Sequence, residues 1–404
     1  MSVQAKASIL AIGTELTTGQ ITNRNAAWMS ERLVNLGIDV VLHETVADDR
    51  AAILRALDRC WETSRLVFVC GGLGPTTDDF TRDVISDWLK RPLEFYEPSW
   101  IKIQNRLQKF GIPVAPSNKQ QAFYPQGADV LKNAQGTADG FSCQIVRSTG
   151  ESGSEKGRMW VLPGPPREIE AIWQDNNLAS MICRELPEGI EPLTLLTWEC
   201  LGKSEAELGE ITEAAVAGSE LQTGYRAHRP YVEVKLWIPQ SQIEAHQKWI
   251  SKLDAAIAPW VVVKNGNDLG KQLVTLLKRA DEIDIIDACT AGFLMERLGP
   301  IFRSPMGRDA ARNLNVATEW EPLSSPGDWV TQVLSEADDG ALTLAIAGIT
   351  PSGQWAVGLK ENGRSYQEVL QSPWKDIELI ERSRAFTVEF ALKKWRDWLT
   401  QSMS

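Results

Sequence analysis

The stretch RLVFVCGGLGPTTDDFTRDVISDWLK, residues 65–90, decides the fold. Its apolar run carries no charge after Arg65, the signature of a central strand covered on both faces. The run breaks at Gly71, Gly72 and Gly74, passes Pro75, and resumes with helical spacing. Strand, glycine-rich turn and helix in that order belong to a doubly wound α/β sheet.

The neighbouring segments repeat the alternation. ASILAIG (7–13) and IDVVLHETV (38–46) predict strands, and RMWVLPGPP (158–166) and GFSCQIV (140–146) predict two more. Between the first pair, Ala26, Met29, Leu33 and Leu36 recur at helical spacing and Gly37 is a natural stop. Ile53, Leu54, Leu57 and Trp61 mark a second helix over 48–64, and a third is predicted over 167–186. The polar segment 147–158 reads as a hairpin or a solvated loop. The expected architecture is α/β throughout: a doubly wound, mostly parallel sheet over 1–186, a small α/β module over 187–263, and an α/β unit over 264–404.

The chain has 404 residues, too many for one ordinary core. Its net charge of −11, with no Lys/Arg run longer than two, disfavours nucleic acid as a partner. No run approaches the ~20 apolar residues of a membrane span, and the N-terminus has no signal-peptide pattern. Six cysteines are scattered without a CxxC pair, and His43, His228 and His246 lie far apart, so neither a zinc site nor a disulfide framework is expected. A cytoplasmic protein without a membrane partner is the expectation. The sixteen tryptophans are assigned to packing.

The chemistry concentrates at strand ends. Gly71, Gly72 and Gly74 allow close backbone approach, and the following helix offers free N–H groups, so this loop reads as a phosphate cradle. Asp78 and Asp79 would repel a phosphate unless a divalent cation lies between. Equally, one of them caps the helix and the glycines only make a tight turn. The Gly-Lys-Ser/Thr ending of a P-loop is absent, and the third glycine is misplaced for a dinucleotide fingerprint. Thr14, Glu15, Gly19 and Asn25 follow the first strand, and Gly164, Arg167 and Glu168 follow a late one. All would meet at the carboxyl edge of a parallel sheet. Taken alone, Glu168 reads as a first-turn helix acid.

Four segments, GTELTTGQITNRNAAWMSERL, VCGGLGPTTDDFTRDVI, NKQQAFYPQGADVLKNAQGTADGF and LPGPPREIEAIW, resemble in order and spacing the competence/damage-inducible CinA family. LGKSEAELGEITE is similar to that family's linker module. The resemblance implies a first domain similar to the molybdopterin-binding domain of molybdenum-cofactor biosynthesis proteins. It further implies metal-dependent hydrolysis of ADP-ribose, or a similar nucleotide, to AMP and ribose 5-phosphate. In that reading Asp78, Asp79 and Glu168 are catalytic and hold a divalent metal (Mg²⁺, Mn²⁺ or Co²⁺), with potassium a further candidate. Thr14, Glu15, Gly19, Asn25, Gly71, Gly72, Gly74, Thr76 and Gly164 would surround the nucleotide. Asn118, Lys119 and Gln120 would contact phosphate or ribose, or simply form a polar loop. Asp139 departs from the family, which usually has proline there. A second reading is a sensor that binds a nucleotide or pterin without cleaving it.

The last unit resembles the family's nicotinamide mononucleotide deamidase domain, whose signature is Glu-Ser-Cys-Thr-Gly-Gly. Here the segment is DACTAG (287–292): Ala288 replaces the nucleophilic serine, and Cys289 and Thr290 are retained. From Arg279 to Leu359 there is neither lysine nor tyrosine, and no histidine follows His246. The expectation is a catalytically silent scaffold. A homodimer is expected from the family habit and the amphipathic terminal helix.

Overall fold

The computed structural model describes residues 5–148, 154–305, 307, 314–318, 325–372 and 380–401. Contacts divide the chain into two compact units, Met1–Thr194 with Pro239–Ser241, and Leu195–Ile238 with Gln242–Ser404. The boundary the sequence places near 263 lies inside the second unit.

The first unit runs β1 (Ala5–Ile12), α1 (Thr14–Thr17), α2 (Arg24–Asn35), β2 (Ile38–Val46), α3 (Arg50–Thr63), β3 (Leu66–Cys70), α4 (Thr81–Leu89), β4 (Leu93–Phe95), α5 (Glu97–Lys109), a 3₁₀ turn (Pro116–Ala122), β5 (Phe123–Pro125), β6 (Asp129–Leu131), β7 (Gly140–Ser148), β8 (Ser154–Leu162), α6 (Pro166–Asp175) and α7 (Leu178–Cys183). The strand order is β2-β1-β3-β8-β7-β6, with β4 and β5 forming a separate ribbon. The first four strands are parallel, β7 pairs antiparallel with β8, and β6 pairs antiparallel with β7 and so runs with the first four. The doubly wound, mostly parallel sheet is therefore present.

Strand periodicity explains the two cores. In β1, Ile9 and Ala11 pack with Met29 and Leu33 of α2 and Ile169 and Ile172 of α6. Leu10 and Ile12 point to the other face, against Ile53 and Leu57 of α3 and Val84 and Ile85 of α4. Phe68 stacks on Trp160 with centroids 4.8 Å apart. Each such buried side chain stabilises the fold by roughly 1.5–3 kcal/mol. Asn23 and Asp49 cap α2 and α3 by accepting from Ala26 and Ala52 N–H. The single helix expected over 167–186 is two, because Asn177 turns left-handed between α6 and α7.

The second unit runs β9 (Leu193–Cys200), α8 (Glu205–Val216), β10 (Gln222–His228), β11 (Tyr231–Pro239), a 3₁₀ turn (Gln240–Gln242), α9 (Gln247–Ile257), β12 (Val261–Lys264), α10 (Leu269–Leu277), β13 (Ile283–Ala288), α11 (Phe293–Phe302), β14 (Leu314–Thr318), α12 (Pro326–Glu336), β15 (Leu342–Ala347), β16 (Gln354–Glu361), β17 (Arg364–Gln371) and α13 (Ile380–Gln401). It contains a four-stranded sheet, β10-β11-β9-β12, and a five-stranded sheet, β14-β13-β15-β16-β17. Phe386, Leu392, Trp395 and Leu399 of α13 are buried with Leu273 and Val274 of α10. The amphipathic face that suggested a dimer is thus covered within its own unit. Among the described residues no helix is long and apolar enough to cross a membrane.

Candidate functional site

Because β1, β3 and β8 are parallel, their carboxyl ends share one edge, and the chain reverses its winding between β1 and β3. Loops diverge at such a switch point and leave a crevice. Here it has a volume of about 520 Å³ and is lined by Gly13, Glu15, Asn25, Asp48, Gly71–Pro75, Asp78, Asp79, Gln121, Thr137, Gly164 and Glu168, among others.

The glycines are required by crowding. A Cβ on Gly71 would lie 2.0 Å from the Ile12 carbonyl oxygen, and one on Gly72 would lie 2.0 Å from Thr81 Oγ1. Both have positive φ, 106° and 65°. Asp79 Oδ1 accepts from Gly74 N–H at 2.8 Å, and Oδ2 accepts from Thr76 N–H at 3.0 Å and from the Thr76 hydroxyl. Gly71 N–H donates to Leu162 O, and Thr81 N–H donates to Gly72 O. The loop expected to cradle a phosphate has these donors already taken, by its own atoms and by β8. Asp79 staples the loop and neither aspartate caps α4, whose N-cap residue is Phe80.

The other loops are tied as firmly. Thr14 donates from its N–H and hydroxyl to Asp48 Oδ2 at 2.8 and 2.9 Å. Asn25 Nδ2 donates to Gly164 O at 2.6 Å, joining the loops after β1 and β8. Burial pushes the adjacent Cys70 thiol up to about 12, although a hydrogen bond with Asn25 opposes it. Gly19 makes an open turn with φ 73° and does not line the crevice. Gln120 Nε2 holds Gly74 O and Thr76 O from behind. Asn118 closes its own turn on Ala115 N–H, and Lys119 lies over the Phe95 ring, so neither lines the crevice.

Glu168 stands in the first turn of α6, half-buried. Its Oε2 accepts from Asn133 Nδ2 at 2.7 Å. Burial raises its pKa, and the Asn133 bond opposes the shift. Asn133 N–H donates to Asp139 Oδ1 at 2.8 Å, Ser99 donates to Asp139 Oδ2 at 2.6 Å, and Lys102 forms an ion pair with the same carboxylate. Burial lowers the Lys102 pKa against the pull of Asp139. Sequence reasoning flagged Asp139 only as a departure and missed Asn133, Lys102, Asp48 and Gln121. Gln121 directly follows the polar segment that was singled out, so that segment was the available signal.

The three acids expected to hold a metal are engaged one by one rather than gathered on a common point. Asp79 is committed to the loop, Glu168 to Asn133, and Asp78 is exposed at the rim. Among the described residues no group of three His, Cys, Asp or Glu side chains is placed to hold a metal ion. A second hollow of about 380 Å³ continues through Leu16, Ile21, Asn25, Gly164 and Pro166 to Thr22, Asn23 and Arg24.

In the second unit, β13 ends at Ala288 and α11 begins at Phe293, the strand-turn-helix expected around DACTAG. Buried Asp287 accepts from Cys289 N–H at 3.1 Å, Thr290 N–H at 2.7 Å and the Thr290 hydroxyl. Thr290 Oγ1 in turn accepts from Leu294 N–H. Cys289 is packed against the core, and burial pushes its thiol far up. Ala291 sits at φ 55°, a left-handed turn position that favours glycine.

A family model described as a probable molybdopterin binding domain matches residues 8–178. A CinA-like protein of Anaeromyxobacter dehalogenans (strain 2CP-C) is 32% identical over 364 residues, covering 87% of this chain and 85% of that one. The chain belongs to the CinA-like family. A CinA-like protein of Anaeromyxobacter sp. (strain K) is 31% identical over the same shares. Among solved structures, the protein CinA with unknown function from Thermoplasma acidophilum is 30% identical and covers 43% of this chain and 97% of its own, with a TM-score of 0.38. The tungsten cofactor synthesizing protein MoaB from Pyrococcus furiosus is 14% identical, covering 46% and 99%, with a TM-score of 0.31.

These findings overturn the ADP-ribose pyrophosphatase expectation. The CinA-like relatives carry no such activity in their names, and the family model speaks of molybdopterin binding. The physical reason lies in the acids: Asp79 and Glu168 look like metal ligands by spacing, but both Asp79 oxygens hold the loop and Glu168 Oε2 holds Asn133.

Proposed function

We propose that the first unit binds a phosphorylated pterin, ring in the crevice and phosphate toward Arg24. The observation that carries this is the division of charge between two continuous hollows. Glu15, Asp48, Asp78, Asp79 and Glu168 line the crevice, and its lining includes neither lysine nor arginine. A bare phosphate would be repelled there. The amino-pyrimidinone edge of a pterin is rich in N–H donors, which carboxylates accept. Glu168 suits that edge because burial keeps its proton to higher pH, so the carboxyl can either donate or accept.

The adjoining hollow supplies the complementary charge. Arg24 is exposed at the first position of α2, where the helix end adds positive potential. The crevice volume lies in the range of small-molecule sites, roughly 300–1,000 Å³. The molybdopterin wording of the matching family model is in keeping with this ligand class. Fluorescence titration of the full chain with a phosphorylated pterin, and with the same pterin lacking phosphate, tests it. Saturable binding that is tighter with the phosphate is expected, and equal or absent binding contradicts it.

A further inference from the structure

The second unit holds a cavity of about 390 Å³ between α11 and α13, lined by Pro230, Phe293, Glu296, Arg297, Ala385, Val388 and Glu389. Glu389 is only 5% exposed; the Tyr231 hydroxyl lies near its carboxylate, but Oε2 has no hydrogen-bond partner within 3.5 Å. Its Oε1 accepts from Arg297 Nε at 2.6 Å, and Arg297 Nη2 is committed to Asp268 Oδ2 at 2.7 Å. One guanidinium thus stands between two carboxylates, and Glu296 adds a third at the cavity wall. The surroundings are electronegative and one buried acceptor is orphaned. An unpaired buried oxygen of this kind costs on the order of 1–3 kcal/mol and calls for a donor.

We propose that this cavity is a binding site for a small organic cation, with the Glu389 carboxylate taking the ligand's ammonium or guanidinium group. A cation restores charge balance and supplies the missing N–H donor in one step. Pro230, Ala385 and Val388 give an apolar wall for a short carbon chain, and Phe293 gives an aromatic surface that attracts positive charge. A bare metal ion is disfavoured, since among the described residues no group of three His, Cys, Asp or Glu side chains is placed for one. The site is independent of the crevice in the first unit and of the phosphate reading there.

Calorimetric titration of the full chain with n-butylammonium chloride and with agmatine tests the proposal, with n-butanol and sodium butyrate as neutral and anionic controls. Saturable binding of both cations and of neither control is expected. Glu389→Gln, which keeps the shape, should weaken cation binding about tenfold or more. Phe293→Leu should weaken it several-fold while leaving the carboxylate in place, so the proposal stays testable should Glu389→Gln unfold. Binding of n-butanol as tight as that of n-butylammonium overturns the proposal. So does undiminished binding by folded Glu389→Gln, or no saturable binding of either cation.

Discussion

Asn133 Nδ2 donates to Glu168 Oε2 at 2.7 Å, while Asn133 Oδ1 accepts from the N–H groups of Gln135 and Gly136. The asparagine is held from both ends and aims its amide at the one crevice acid whose pKa burial raises. The folded state therefore keeps a proton on Glu168 at pH values where the unfolded chain has released it. Between the unfolded value, about 4.3, and the raised folded value, stability falls as pH rises, and the loss persists above that window. Glu168→Gln keeps an acceptor for Asn133 and removes the charge. Urea unfolding should show the variant gaining on wild type as pH rises above about 4. A difference that is flat with pH would contradict the burial argument.

Asp79 is a loop staple, so its removal should act on stability. Asp79→Ala leaves Gly74 and Thr76 N–H without their acceptor and should lower the unfolding free energy by about 2 kcal/mol. Adding Mg²⁺ or EDTA to the wild type should leave Tm unchanged. A clear Tm rise with Mg²⁺ that Asp79→Ala abolishes would restore the metal role.

The glycines separate into two kinds. Gly71→Ala drives a Cβ to 2.0 Å from Ile12 O at φ 106°, and about 3 kcal/mol or more of destabilisation is expected. Gly19→Ala meets no atom within 4 Å and should cost only about 1 kcal/mol, from its φ of 73°. Equal losses in thermal unfolding would show that crowding at Gly71 is not the controlling factor.

Asp139 is buried against the half-buried ammonium of Lys102. Removing one partner strands the other, so Asp139→Ala should cost about 3 kcal/mol. Lys102→Met in that background should recover much of it, and the double-mutant cycle measures the coupling. Additive losses would mean the pair is not energetically joined.

The sequence made the first unit's sheet legible because its strands and helices obey clean periods: Ile9 and Ala11 against Leu10 and Ile12 in β1, and Met29 and Leu33 in α2. It also brought the right loops to one edge, since Gly71, Asn25, Gly164 and Glu168 all follow parallel strands. Hydrogen-bond allocation was not legible. Nothing in the spacing of Asp78 and Asp79 tells that one carboxylate folds back on Gly74. Lys102 and Asp139 are 37 residues apart, and only the packing of α5 brings them together. Arg24 reads as an ordinary first-turn residue until the hollow beside it is seen. The amphipathic pattern of α13 is real, but a pattern cannot say whether the covering surface is α10 or another chain.

The most direct test of the crevice reading compares a phosphorylated pterin with its unphosphorylated form on three proteins by fluorescence titration. Wild type should bind the phosphorylated form more tightly. Arg24→Ala should lose that preference while keeping its affinity for the bare pterin. Glu168→Gln should weaken both ligands about tenfold. If Arg24→Ala keeps the full preference for phosphate, or if wild type binds neither pterin, the division of labour between the acid-lined crevice and the Arg24 hollow is wrong.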